Sequence, residues 1–563
     1  MRLPSLAAIV LVALVLASPA SAAEPILPLA EVQPGARCIG LSVIQGTDVS
    51  SFDVDILDVM GAERPQTARI LVRVSGPAID ATGVGPGFSG SPILCTGADG
   101  VTRTIGAISE TIGEYGGKTV LATPIEAMLA QPPSPPAALP PFPGARPLAT
   151  PLTISGLRPS LAASFVAAAR AAGVVLISSP ATGRVAFEPR PVVPGSAVVA
   201  AVTSGDISLG ALGTVTYVDG PNIWMFGHPL DGTRGAGRRS LILQDAFVHA
   251  VINNPVAAAE VSTFKLASPG NEIGTITSDG SSSVVAQTGA PPASFPLRVT
   301  ARDLSTGRIT GNLTRIADEG DVGRPVGISP LGLAGAAAVA EAAGGTLAGS
   351  PSRQSGDMCV RITLRELRAP LRFCNDYAVD GDVPNALAGA AAADMTAAVN
   401  ALDGYKFGTL HPTAVDVGLR ARAGVAQAFI TGASAPPRVR RGHALRVRLH
   451  LRHTGTGART TRTVGVRVPL GTPRGPRTIR LVGTPADVGG NPDDPGDLSI
   501  VFEEPDTGDD PGPQSLAELR ASFASLARFN GVTATIAGEK HKVFRDPRER
   551  ITGSARVRVN VRP

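Results

Sequence analysis

Residues 81–94 read Ala81-Thr82-Gly83-Val84-Gly85-Pro86-Gly87-Phe88-Ser89-Gly90-Ser91-Pro92-Ile93-Leu94. A serine stands between glycines, behind a glycine-rich approach and ahead of a short apolar strand. Glycine before the serine opens backbone conformations closed to other residues. Successive N–H groups can then point at one spot, which is what an oxyanion requires. Pro92 has no N–H and fixes the exit of the turn. An ordinary Gly/Ser/Pro turn between strands has the same composition, so the chemistry depends on whether the chain also supplies a base.

Short runs of alternating character flank the turn. Residues 38–43, 52–57 and 69–74 precede it and 105–109 and 119–125 follow it, each reading as a strand. About six strands with only one closing helical turn, at residues 126–129, predict a small closed barrel over residues 23–130. Residues 131–150 are proline-rich and extended, a linker. A helix is expected over residues 159–172, with proline in its first turn. Strands resume at 197–202 and 213–218, and residues 223–226 lead into Gly227-His228-Pro229. Two more short strands are read at 262–266 and 272–276 and another at 297–300, so residues 151–330 form a second β unit of similar size. Residues 331–433 change character. Alanine-rich, helix-prone runs at 336–343 and 386–402 enclose a hairpin. From residue 434 to 563 the chain is β again. Leu445, Val447, Leu449 and Leu451 alternate with Arg446, Arg448, His450 and Arg452, the pattern of a half-buried strand in a sandwich-like domain.

Composition agrees with this organisation. The 563 residues exceed a single core and predict roughly two to four domains. With 65 Gly, 50 Pro and only 4% aromatic residues, the chain suits short strands and tight turns; 17% charge excludes a coiled coil. One Trp, four Tyr and a net charge of +5 offer no stacking platform for nucleic acid. The N-terminus reads as a signal peptide over residues 1–22: Arg2, an apolar run at 6–17, and Ala20-Ser21-Ala22 as cleavage site. That run is short for a membrane span, and no other stretch qualifies. The mature chain is therefore expected to be extracytoplasmic. Four cysteines in an exported chain invite pairing. Cys359 and Cys374 bracket the hairpin and are expected to be bonded across it. Cys38 and Cys95 are left either for each other or as buried thiols.

A serine hydroxyl attacks a carbonyl only when something takes its proton, and histidine is the usual base. Of seven histidines, four lie at or beyond residue 443, and His249 sits mid-strand in a structural setting. His228 ends an apolar strand between glycine and proline, at a corner from which a catalytic side chain can project. No metal-ligand set emerges, and no cofactor is expected. The acidic loop at 493–510 lacks the regular ligand spacing of a calcium site.

The run G-F-S-G-S-P matches the G-x-S-G-S/G-P pattern of trypsin-like serine peptidases. Together with I-G-A-I-S and T-P-I-E-A-M-L it resembles the catalytic-serine segment of the SpoIVB-type sporulation serine peptidase family, and F-G-H-P-L-D resembles that family's histidine segment. Four further stretches extend the likeness to a bacterial branch of the family: G-L-S-V-I-Q-G-T-D-V-S-S-F-D-V-D-I-L-D-V, G-D-I-S-L-G-A-L-G-T-V-T-Y-V-D-G, F-K-L-A-S-P-G and E-I-G-T-I-T-S-D. It spans residues 35–290, about half of the 563. The resemblance implies a mainly β, trypsin-like double β-barrel peptidase unit, here followed by the mixed helical and hairpin region and the sandwich-like domain. It implies Ser89 as nucleophile, His228 as general base, and the Gly87 and Ser89 N–H groups as oxyanion hole. Two features depart from the family. The serine segment precedes the histidine segment, and Val74-Ser75-Gly76-Pro77 stands where the family has an aspartate. Asp80, Asp206 and Asp231 are the candidates for a third member, and a Ser/His dyad is the other arrangement. The expected function is an exported serine endopeptidase acting on a cell-envelope or secreted protein or peptide. The alternative is an inactive envelope scaffold that retains the fold.

Overall fold

The computed structural model describes residues 24–113, 115–133, 146–147, 151–172, 174–179, 186–230, 237–253, 263–320, 329–347, 351–380, 385–484, 512–546 and 549–563. Residues 1–22, expected to be a signal peptide, most of the proline-rich stretch at 131–150, Asp231 and the acidic stretch at 493–510 lie outside the described residues.

The first unit is a closed antiparallel barrel of six strands. They are β1 (Arg37–Val43), β2 (Val49–Met60), β3 (Arg69–Ser75), β4 (Pro92–Thr96), β5 (Thr102–Thr111) and β6 (Thr119–Pro124). Hydrogen bonds run in the order β4-β1-β2-β3-β6-β5, and β5 pairs back with β4 to close the circle. The alternation visible in the sequence is the alternation of burial. Phe52, Val54 and Ile56 of β2 and Ile70, Val72 and Val74 of β3 point inward with Phe88 of the serine turn. Cys38 and Cys95 lie directly opposite one another on β1 and β4 and form a disulfide. The helical turn expected at 126–129 is α1 (Ile125–Leu129), and β7 (Arg146–Pro147) adds to β5.

The second sheet has thirteen strands. Its first part comprises β8 (Leu152–Ser155), α2 (Pro159–Ala171), β9 (Leu176–Ser178), β10 (Ala197–Gly205), β11 (Ser208–Asp219) and β12 (Asn222–Met225). It continues through β13 (Gly237–Asn253), β14 (Thr263–Asp279), β15 (Val284–Thr288), β16 (Ser294–Asp303) and β17 (Ile309–Ala317). Within it β10, β13, β14, β15, β12 and β11 pair in that order, and the β10–β11 pairing brings the run back on itself, while β10 also pairs with β17 and β11 with β8. The two short strands expected at 262–266 and 272–276 are parts of one long strand, β14. Irregularities in its pairing with β13 bend the strand where the sequence reading breaks it.

The sheet does not stop at residue 330. After α3 (Pro330–Thr346), the hairpin β18 (Arg353–Leu364) and β19 (Leu371–Asp380) is followed by α4 (Ala386–Asp403) and β20 (Pro412–Ala423). β20 pairs parallel with β16 and antiparallel with β18, so the hairpin extends the same sheet. Cys359 and Cys374 face each other across the hairpin and are bonded. Helices α3 and α4 bury alanines nearly all round, because small side chains let the two helices sit together against the sheet.

The strands described between residues 427 and 563 form a four-stranded and a five-stranded sheet sharing one apolar core. Leu445, Val447, Leu449 and Leu451 all enter that core while Arg446, Arg448 and Arg452 face solvent, as the alternation requires. No helix among the described residues is long and apolar enough to cross a membrane.

Candidate functional site

The serine turn is clamped between the two sheets. On the barrel side the Gly90 N–H donates to Ile108 O of β5 at 2.8 Å, and Ile108 N–H donates to Ser91 O at 3.0 Å. From β11, Thr214 N–H donates to Ser89 O at 2.8 Å, and the hydroxyls of Thr214 and Thr216 donate to Gly87 O and Gly90 O. Lys265 N–H of β14 reaches Pro86 O at 3.0 Å. The turn is thus fixed by strands distant in sequence.

Gly90 is indispensable to that fit. Its φ is +88°, and a Cβ there would lie 2.0 Å from Thr214 O and 2.5 Å from Phe226 N. Gly90→Ala is expected to cost at least about 2 kcal/mol, from the left-handed backbone and the clash together. Urea unfolding of the variant, compared with Gly100→Ala, where nothing lies within 4 Å of a Cβ at a similarly left-handed glycine, separates the two contributions.

Around Ser89 the backbone amides divide into two sets. Those of Phe88, Gly90 and Ser91 each donate to a carbonyl oxygen, whereas those of Gly87 and Ser89 have no acceptor among the described residues. Ser89 is 1% exposed, and its Oγ is buried without a hydrogen-bond partner among the described residues.

His228 is presented by a strained corner on the same interface. Phe226 has φ +68° and Gly227 N–H donates to Met225 O at 2.9 Å, a γ-type turn rare for a bulky residue. Thr123 of β6 donates to Gly227 O at 2.7 Å, and Phe226 N–H lies 3.4 Å from Thr214 O, the threonine that also holds Ser89. His228 Nδ1 is 2.7 Å from Pro229 O. A carbonyl can only accept, so Nδ1 carries the proton and Nε2 keeps its lone pair. Nε2 is buried with no hydrogen-bond partner among the described residues. Burial pushes the imidazole down to about 4, opposed by the bond to Pro229 and reinforced by the Arg69 charge. Arg69 itself is paired with Glu110 across the barrel wall at 2.6 Å.

The structure therefore places both sequence-derived residues at one interface, each with an unpartnered reactive atom, but does not hydrogen-bond them to each other. Both atoms are sealed from solvent. Of the candidate acids, the two among the described residues, Asp80 and Asp206, are engaged elsewhere. Asp80 is exposed, bonded to Lys118 at 2.7 Å, and accepts from Gly76 N–H; the Lys118 bond holds its carboxyl below the ordinary range. Asp206 accepts from Leu313 N–H at 2.8 Å and lines a separate cavity with Arg158 and Glu341. Among the described residues the only hydrogen-bond partner of the His228 ring is the Pro229 carbonyl, and the Phe226 ring meets it edge-on. His249 bonds Ser268 at 2.9 Å, and no group of metal-ligating side chains occurs among the described residues.

Sequence reasoning missed Ser42, Thr214 and Lys265, which surround the turn. The signal was faint: Lys265 occupies an inward position in the alternation of residues 263–267, where an apolar residue is the norm. No protein-family model, curated protein or solved structure matches the chain.

Proposed function

We propose that the chain is an exported serine endopeptidase that acts through a Ser89–His228 dyad on a peptide or protein of the cell envelope. The observation that carries this reading is the pair of Gly87 and Ser89 amides, without an acceptor among the described residues, in a turn whose strand partner Thr214 also holds the corner bearing His228. In the reaction Ser89 Oγ attacks the peptide carbonyl and passes its proton to His228 Nε2. The Gly87 and Ser89 N–H groups receive the oxyanion. The imidazolium then gives the proton to the leaving amine, and water, deprotonated by the same nitrogen, releases the acyl group. Pro229 O takes the orienting role at Nδ1 that a carboxylate has in a triad.

The resemblance to the SpoIVB-type sporulation peptidases supports the same assignment. So does the pairing of β10 to β15, which with the first barrel suggests the trypsin-like double-barrel plan. The two sheets of residues 427–563 with their common core suggest the sandwich-like terminal domain. Two disulfides favour an extracytoplasmic setting. The sealed position of Ser89 and the absence of a Ser89–His228 bond favour the second reading, an envelope scaffold without activity.

Labelling with a fluorophosphonate probe separates the two. The peptidase reading expects labelling of the wild type and none of Ser89→Ala; equal labelling of both overturns it. Its pH dependence is also set. A base must be neutral, so the labelling rate falls as pH drops through about 4. The same group bears on stability. Its folded pKa of about 4 lies below the ordinary 6.5, so the unfolded chain takes up the proton first. Stability is then lost as pH falls from 6.5 towards 4, by on the order of 3 kcal/mol. Thermal melts of wild type and His228→Gln between pH 4 and 7 measure that difference.

A further inference from the structure

Lys265 is 2% exposed and takes no part in the mechanism above. Its amine lies 2.6 Å from Ser42 Oγ, 3.4 Å from Thr214 Oγ1 and 4.4 Å from the centre of the Phe88 ring. Each neighbour belongs to the serine turn or holds it. Ser42 Oγ is 2.9 Å from Ser91 Oγ, and Thr214 donates to Gly87 O. The lysine stem covers Gly87, where a Cβ would come within 2.9 Å of Lys265 Cβ. Its contacts thus grip the turn on both sides of Ser89.

The surroundings of the amine are neutral on every side. Among the described residues β1 presents Ser42, β11 presents Thr214 and the turn presents Phe88; no carboxylate, imidazole or second cation reaches it. An ammonium has three N–H donors and finds here one short acceptor, one long one and a ring face. A neutral amine fits better, since its lone pair can accept from the Ser42 hydroxyl. Burial alone pushes Lys265 down to about 7.

We propose that Lys265 is the positioning residue of the serine turn: as a neutral amine it seals the turn over Ser89, and on gaining a proton it releases the turn to water. The proposal rests on the peptidase reading for its purpose, because release is what brings a substrate to Ser89. Its sign follows from linkage. In the released turn the amine is hydrated and titrates near its ordinary value, about 10.4. Between pH 7 and that value only the released form holds the proton, so release becomes about tenfold easier for each unit of falling pH. Below about 7 both forms hold it and the dependence ends. The turn is tightest in alkali and freest at neutral and mildly acidic pH.

Hydrogen exchange by mass spectrometry on the full chain, at pH 6 to 10 and corrected for the intrinsic rate, tests this. The expected result is protection that rises about tenfold per pH unit above 7 in peptides covering residues 84–93, and is flat below it. Peptides from residues 427–563 should show no such slope. Lys265→Met should abolish the slope, leaving protection at the alkaline level. A uniform slope in all peptides, or none in residues 84–93 of the wild type, overturns the proposal, and that series requires no variant to fold. Fluorophosphonate labelling run in parallel keeps the two readings apart. The slope without labelling at any pH retains the Lys265 assignment and removes the peptidase; labelling without the slope does the reverse.

Discussion

Replacing His228 by alanine is expected to slow phosphonylation of Ser89 by about 10²- to 10⁴-fold, the range that a positioned general base supplies. The size of the effect follows from the burial of both reacting atoms. Ser89 Oγ has no hydrogen-bond partner among the described residues, so no second group there is bonded to it to take its proton. The Gly87 and Ser89 amides remain in the variant, so a residual rate persists through oxyanion stabilisation. His228→Gln is the companion variant, since it approximates the volume of the ring without a base. Stopped labelling at pH 6 measures all three proteins. Equal rates in wild type and both variants would remove His228 from the reaction, whatever Ser89 does.

The second large effect is structural. The Cys38–Cys95 disulfide closes a stretch with a sequence separation of 57, and its removal is expected to cost about 4 kcal/mol by the chain-entropy estimate. It joins β1 to β4, and Cys95 lies on β4, the strand that leaves the serine turn and closes the barrel by pairing with β5. The double variant Cys38→Ala/Cys95→Ala should therefore unfold at lower urea. Loss of the barrel should also take fluorophosphonate labelling with it at a denaturant concentration where the wild type still reacts. Unchanged unfolding would mean that the denatured barrel is already compact enough to need no tether.

Much of this architecture is legible because burial in a strand repeats every second residue. Phe52, Val54 and Ile56 announce β2, and Leu445 to Leu451 announce a half-buried strand, without reference to anything distant. The Cys359–Cys374 bond is legible for a similar reason, as a hairpin places its flanking residues opposite each other. The corners at Ser89 and His228 show through their glycines and prolines.

What escapes the sequence is contact between remote strands. Thr214 serves both corners at once, donating to Ser89 O and Gly87 O and accepting from Phe226, yet nothing in its neighbourhood marks it out. Lys265 lies in a stretch that reads as an ordinary strand, and only the inward phase of its position betrays burial. The pairing of β20 with β16, which continues the large sheet past residue 330, joins segments separated by two helices and a hairpin. Strand pairing of that kind leaves no local trace, because either edge of a strand offers the same row of N–H and C=O groups.

Ser89 as nucleophile, with the Gly87 and Ser89 amides receiving its oxyanion, is the proposal that a crystal structure of the fluorophosphonate-treated chain tests. The expected result is phosphorus bonded to Ser89 Oγ, with the phosphoryl oxygen about 2.7–3.1 Å from both amide nitrogens and His228 Nε2 turned towards the adduct. A chain that remains unmodified under conditions that label a control serine peptidase, or an adduct on another serine, would contradict it.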